Sequence, residues 1–513
     1  MSHFNKPRNA AFYVHTAIGL FCMFIAGRVF EPIEPLTEVG MQIVGLFIGL
    51  IWMWCFVGFL WPSLLGLIAF GLSDFTANFA QVGTMSFGGS VPILLLFSMI
   101  LFGSPQHVGA TKYITRFFLT RTVFNNRPIV FSFVFFFATY ALSVAVNVTP
   151  ALVLMWSVLY GVLRELDYTK GEKYTSLMLV GTFLGAISGQ ASLPFTGSTL
   201  AILDAFRNAT IAVEVAAGVP EAYAVGIVVP APQYILLGFI NTVIVMVIYC
   251  LFMKLVLKPE ELTKVAHVNT EMFEKDPLPP MSPLQKANFF GMLLFVFFML
   301  LPWFLPDGFI VTELLGTLGA GGVAIFITAL MCLIRVQGEP ILDFGPVASK
   351  SINWDVYVMV SMALALSSAL TNPATGVMTL MEEVFRPVLG GHSAIMLFVM
   401  TLLVAIFITS FASSMVIGIA FMPILVFFGA EAAVNLPALA SVTILLLHYS
   451  IILPSASVFA AMLWSNEAWI TPKEVFKYGA VIVIVATVVA IAIMMPISLG
   501  LFENQPLATA LLH

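Results

Sequence analysis

The apolar residues of this chain run on for membrane-like lengths and then stop at two matching places. The first is Ser143 to Pro150, SVAVNVTP, which follows the apolar run Pro128–Leu142 and gives way to another run at Ala151. Ser143, Asn147 and Thr149 place polar groups there, while Pro150 lacks a backbone donor and disfavours helical backbone at Thr149. The second is Thr409 to Pro423, TSFASSMVIGIAFMP, between Ala394–Ile408 and Met415–Phe428. A helix that stops in hydrocarbon leaves N–H and C=O groups unpaired, which is tolerated where they line a cavity or are buried in protein. Breaks at corresponding places in two halves are the pattern of a transporter's binding site.

The remaining apolar runs fall near 11–28, 39–57, 58–73, 87–103, 174–206, 225–257, 287–305, 309–334, 352–371, 435–466 and 478–503. Regions 128–166 and 391–430 each hold two apolar arms around a polar break and read as re-entrant hairpins. With the N-terminus inside, this map places 18 of the 21 Lys and Arg on the inner side and leaves Arg28, Arg207 and Arg386 outside. That bias follows the positive-inside rule, and it requires each hairpin to return to the side it entered. The expected fold is therefore an all-α polytopic integral membrane protein. Two inverted repeats, each of five transmembrane segments plus one re-entrant hairpin, follow one extra N-terminal helix.

The expected divisions are 1–38 for the N-terminal region, with an uncleaved first helix, and 39–257 for the first repeat. A cytoplasmic linker spans 258–286, the second repeat 287–503, and an external C-terminal tail 504–513. Amphipathic stretches precede both hairpins and suit helices lying at the interface: Gln106–Asn126, with Lys112, Arg116 and Arg121, and Thr375–Val388, with Glu382, Glu383 and Arg386.

After each hairpin comes a span interrupted by small and hydroxyl residues: GAISGQASLPFTGST, Gly185–Thr199, and LPSAS, Leu453–Ser457. A helix restarting at such depth presents free N–H groups and about half a unit of positive charge to an anion. Ser192, Thr196, Ser198, Ser455 and Ser457 are placed to donate to carboxylate oxygens. The alternative is that these residues kink and pack membrane helices, and four matched segments favour a site. Asn147 and the pair Ser413–Ser414 also suit helix capping, which is compatible with facing a ligand. His448, in the run Val442–Leu453, reads as a structural histidine, with a proton-coupling or substrate role as the alternative. Asp204 and Asp355 lie near span ends and read as solvated or capping residues.

Only 9% of the residues are charged and 60% are hydrophobic, against about 25% charged in soluble domains. Cys22, Cys55, Cys250 and Cys332 are scattered singly, so neither a metal site nor a disulfide is indicated. No basic cluster interleaved with aromatics suggests nucleic acid. No HExxH, GxSxG or P-loop gives an intramembrane enzyme or ATP-driven pump its machinery.

Over residues 40–500 the chain resembles the divalent anion/sodium symporter family of the ion transporter superfamily. The shared features are two inverted repeats, an interfacial helix before each hairpin, and hairpin tips followed by interrupted spans. Family members carry Ser-Asn-Thr at both tips. Here the first tip reads Val146-Asn147-Val148, with Thr149 displaced by one, and the second Ser413-Ser414-Met415. The family's Thr-Pro element is reduced to Ser457, and its glycine-rich counterpart to Gly189–Gly197.

The resemblance implies substrate binding at Asn147, Thr149, Ser192, Pro194, Thr196, Ser413, Ser414 and Ser457. It implies cation binding at Ser143, Asn147, Gly189, Thr409, Ala412 and Ser414, with sodium as the coupling ion and no other cofactor. It further implies a homodimer in the inner or plasma membrane, and hairpins and interrupted spans that move as a transport domain against a scaffold. The expected function is secondary transport of small organic dianions, di- or tricarboxylates, as an exchanger or cation-coupled symporter. Rival readings are an inorganic oxyanion carrier, a neutral-solute carrier or a cation/proton antiporter on the same scaffold, and a non-transporting assembly factor or enzyme subunit.

Overall fold

In hydrocarbon every backbone donor and acceptor must be met within the segment, and the apolar runs accordingly take the form of helices. The computed structural model describes residues 10–120, 126–220, 223–267, 279–306, 308–410, 413–505 and 507. Ten of its helices are long and apolar enough to cross a membrane, or twelve if two bent pairs are each taken as one span. Among the described residues the one departure from helix and loop is a two-residue β-ribbon, Arg335–Val336 with Glu339–Pro340.

After a first helix, Ala10–Phe21 extended to Val29, the same order of elements occurs twice. In the first half it runs Glu38–Phe56, Leu60–Gly71, a short Phe79–Phe87, Ser90–His107 and amphipathic Thr111–Leu119. The second half answers with Pro283–Leu300, Ile310–Leu333, a short Phe344–Ser351, Trp354–Leu370 and amphipathic Val377–Leu389. Each series continues into a helical hairpin, a broken span and a closing helix. These are Pro128–Val146 with Val148–Glu165, Lys173–Ala191 with Gly197–Ala216, and Ala231–Val256 in the first half. In the second they are Ala394–Thr409 with Ser414–Glu431, Leu436–Leu447 with Val458–Trp464, and Pro472–Val489. The amphipathic Val377–Leu389 turns by 108° into its hairpin.

Three details differ from the sequence reading. Leu60–Gly71 has 12 residues, about 18 Å of helix, well short of the ~30 Å hydrocarbon core. Pro150 does not break the chain: Thr149 is helical, and Pro150 sits in the first turn of Val148–Glu165, where a missing N–H has no helical partner to lose. The break falls earlier, at Asn147 alone. Likewise Pro423 lies inside the continuous helix Ser414–Glu431.

A glycine ridge seats the first hairpin. Gly181, Gly185 and Gly189 recur every fourth residue along Lys173–Ala191, and a Cβ at each would collide with Phe136, with the Phe136 carbonyl, and with Ser143 and the Tyr140 carbonyl. Small residues at this spacing let two membrane helices approach backbone to backbone. At the hairpin's foot, Lys264 meets Glu172 at 3.1 Å and Lys173 meets Glu261 at 3.2 Å, joining the segments around 164–173 and 258–267. The second hairpin's foot is held by Arg386, whose guanidinium pairs with Glu382 and, at 3.3 Å, with Glu431.

Candidate functional site

The first hairpin turns on one residue. Asn147 has φ 90° and ψ 162°, a region essentially reserved for glycine, so an asparagine held there carries backbone strain. Its Oδ1 accepts a hydrogen bond from Val148 N–H at 2.6 Å, capping the second arm. One turn earlier Ser143 Oγ donates to the Ala186 carbonyl at 2.6 Å, fastening the first arm to the broken span.

That span ends its first helix at Ala191 and restarts at Gly197. Gly197 has φ 54°, and a Cβ there would collide with Gln190 Nε2, so glycine is required on both counts. Thr196, at the N-cap, makes no side-chain cap bond. Two helix N-termini, of Val148–Glu165 and Gly197–Ala216, thus open toward a cavity with about 360 Å³ of empty space, part of it continuous with solvent. Its wall combines polar residues, Ser98, Ser143, Asn147, Gln190 and Thr196, with apolar ones, Met99, Phe102, Val144 and Leu193. Among the described residues no charged side chain belongs to this wall, and helix termini, amides and hydroxyls are the groups there that can meet an anion.

In the second half Ser413 takes the N-cap position with φ −55° and no side-chain cap bond, and it is 5% exposed. Thr409 Oγ1 donates to the Ala405 carbonyl and accepts from Ser450 Oγ, both at 2.8 Å. Ser457 Oγ accepts from Ala460 N–H at 2.9 Å and caps its own helix. The backbone of Ser413 lies against the thiol of Cys55, on the first half's opening helix.

The two broken spans meet through side chains. His448 Nδ1 donates to the Ile444 carbonyl at 2.8 Å, and its Nε2 lies 3.0 Å from Ser198 Oγ and 3.3 Å from Thr199 Oγ1. Ser198 Oγ also receives Gln190 Nε2 at 3.0 Å. Deeper in, Tyr449 OH lies 3.2 Å from Ser188 Oγ and accepts from Asn241 Nδ2 at 2.8 Å. His448 is hydrogen-bonded at both ring nitrogens, as a structural histidine would be, yet it reaches across from one half to the other.

Of the residues expected at the site, Ser143, Asn147 and Thr196 come together in one wall. Thr149 lies on the first helical turn outside it. Ser192 is 1% exposed, donates to the Ser188 carbonyl at 2.8 Å and faces Thr242 Oγ1 at 3.5 Å. Pro194 is buried in the loop, and Gly189 serves close packing. Ser413, Ser414 and Ser457 stand outside the wall, and Thr409 is committed to Ser450. Ala412 and the side chain of Ser455 lie outside the described residues. Among the described residues no group of three or more His, Cys, Asp or Glu gathers as a metal site. A cation held here would therefore take hydroxyl, amide and carbonyl oxygens.

The sequence reading missed Gln190, Ser98, Met99 and Phe102. Gln190 had a signal, an amide at membrane depth within the interrupted run. Ser98 had none, because its hydroxyl donates to the Leu95 carbonyl inside an unbroken helix.

The family model described as the sodium:sulfate symporter transmembrane region matches residues 20–501. Among solved structures, the YdaH transporter of Alcanivorax borkumensis has a similar fold, with a TM-score of 0.53 and 13% sequence identity. The match covers 90% of this chain and 99% of that one. No curated protein matches the chain in sequence.

Proposed function

Since the chain belongs to the sodium:sulfate symporter family, we propose that this membrane transporter carries small organic dianions, di- or tricarboxylates, by alternating access. The observation that carries the reading is the wall beside Asn147: part apolar, part amide and hydroxyl, with no charged side chain among the described residues, and beside two helix N-termini. A carbon skeleton with carboxylate ends matches that mixed composition, because its methylenes can lie on Met99, Phe102 and Leu193 while oxygens meet N–H and O–H donors. Sulfate, polar on every side, leaves the apolar part of the wall unused and is the second reading, favoured by the family's description.

An elevator-type movement is the mechanism we favour. Hydrogen bonds join the hairpins, broken spans and Ala231–Val256 into one group: Ser143 to Ala186, Ser450 to Thr409, Asn241 to Tyr449, and Tyr234 to the Ala191 carbonyl at 2.9 Å. Toward Pro283–Leu300 the contacts include the aromatic pair Phe195–Phe295, with centroids 6.0 Å apart. Apolar seams resist sliding less than directional bonds do.

We place one sodium site near Ser143, Asn147 and the restart of the broken span, and expect a second, near Thr409 and Ser414, to be weak, so that sodium coupling is loose. We place the protein in the inner or plasma membrane as a homodimer, with 164–173 and 259–286 cytoplasmic and 207–224 outside. Counterflow of a labelled four-carbon dicarboxylate into preloaded proteoliposomes tests the transport reading, with labelled sulfate as the rival. Dicarboxylate counterflow supports it, and counterflow of sulfate alone contradicts it. For the topology, a single cysteine at Asn208 should react with an impermeant reagent from outside, and one at Lys286 should be protected.

A further inference from the structure

We infer that Gln190 is a substrate-contacting residue and that His448, from the opposite half, is its positioning residue, acting through Ser198. The inference rests on the transport reading above. Ile444 O accepts, so His448 Nδ1 must carry the proton that spans their 2.8 Å, and Nε2 of the neutral ring is left as an acceptor. Thr199 Oγ1 spends its single proton on the backbone carbonyl of Gln190 at 3.1 Å. The donor to Nε2 is therefore Ser198, 3.0 Å away. With its proton so used, Ser198 Oγ can only accept from Gln190, which fixes the amide with Nε2 toward Ser198 and Oε1 turned away.

Gln190 lines the cavity and is 8% exposed. Its Nε2 lies against Gly197, the first residue of the restarted helix, in the space a Cβ would fill. One amide proton serves Ser198. The other is held beside the free N–H groups of the helix start, where a carboxylate of the substrate adds its charge to the dipole. Neither residue would be chosen from the hairpin tips: Gln190 belongs to the first broken span and His448 to the second. The link also gives the halves a shared stake in one binding position.

The test is dicarboxylate exchange in proteoliposomes, with KM and maximal rate measured separately at equal reconstituted protein. Gln190→Leu should raise KM about tenfold or more, the range expected for a lost charge-assisted hydrogen bond. Ser198→Ala and His448→Leu should each raise KM severalfold with the maximal rate largely kept. Combined with Gln190→Leu, neither should add further loss, because the amide they orient is gone. His448→Gln, whose side-chain carbonyl can accept from Ser198, should recover most of the affinity. An unchanged KM in Gln190→Leu, additive losses, or a His448→Gln variant no better than His448→Leu would overturn the assignment. If His448→Leu does not reconstitute, Ser198→Ala carries the same comparison. A wild-type protein that exchanges neither dicarboxylate nor sulfate would overturn the transport reading itself, and this assignment with it.

Discussion

The two hairpin tips occupy equivalent places in a repeated order of elements and are equipped differently. At the first, an asparagine held at φ 90° caps one arm and faces a cavity that also receives Ser143, Gln190 and Thr196. At the second, Ser413 stays in ordinary backbone space, buried at 5% exposure, and its neighbour Thr409 is satisfied by Ser450. The seats differ as well. Behind the first tip runs the ridge Gly181, Gly185 and Gly189, where backbone meets backbone; Leu436–Leu447, the helix in the same place of the second half, contains no glycine. The difference teaches that repetition of a fold does not repeat its chemistry. The first half supplies amides and a wall, and the second contributes a histidine and packing.

The largest expected effect lies at Asn147. Asn147→Gly tolerates the positive φ while removing the amide, so it separates ligand contact from backbone strain. Exchange should fall by more than tenfold, with thermal stability reduced by about 1 kcal/mol or less from the lost cap. Ser413→Ala should cost far less transport. Near-normal exchange in Asn147→Gly would reduce Asn147 to a cap and erase the contrast.

Next come the seats. Gly185→Ala drives a Cβ into the Phe136 carbonyl, which cannot move without its helix; Gly418→Ala meets the end of the flexible Ile202 side chain. Overpacking against backbone should destabilise by about 1–3 kcal/mol, and the Gly418 variant should lose clearly less in the same thermal melt. Equal losses would contradict a specially tight first seat.

Much of this fold was legible because lipid leaves few alternatives: a long apolar run must be helical, and a polar break within it must be accommodated. The hairpins, the broken spans and the amphipathic helices all follow from that constraint. Its limits show at particular residues. Pro150 looks like a breaker, but proline in a first turn opposes nothing, so the break moved to Asn147. Ser192 looks like a ligand, yet its hydroxyl is spent on the Ser188 carbonyl one turn back and is buried against Thr242. Phe79–Phe87 and Phe344–Ser351 are too short for periodicity to reveal. Gln190 and His448, 258 positions apart in the chain, are linked through Ser198 only by tertiary structure.

Buried hydroxyls give a finer contrast. Ser143→Ala removes one buried hydrogen bond and Thr409→Val two, about 1 kcal/mol apiece by thermal melting. Ser143 also faces the cavity, so its variant should lose exchange severalfold while the Thr409 variant keeps it. Equal transport losses would make the two halves functionally alike.

The smallest effects belong to the feet. Glu172 is held below the usual carboxylate range: burial alone would raise it, and the Thr169 N–H and Lys264 outweigh that. Glu261 is lowered in the same way by Lys258 N–H and Lys173. A lowered carboxylate stabilises the fold above its ordinary pKa and loses that contribution as pH falls through the lowered value. Glu172→Gln should therefore change stability by under about 1 kcal/mol at neutral pH and flatten the loss below pH ~4.

The comparison bears most directly on coupling. If the second tip lacks the amide oxygen that a second sodium would use, exchange should outrun net uptake, and sodium should matter less than the family's description implies. The measurement is dicarboxylate uptake into liposomes with and without internal dicarboxylate, in sodium and in choline. The account predicts uptake that depends strongly on internal anion and weakly on sodium. Strong sodium-driven accumulation into empty liposomes would contradict it, showing that backbone carbonyls at the Ser413–Ser414 tip suffice to bind the ion.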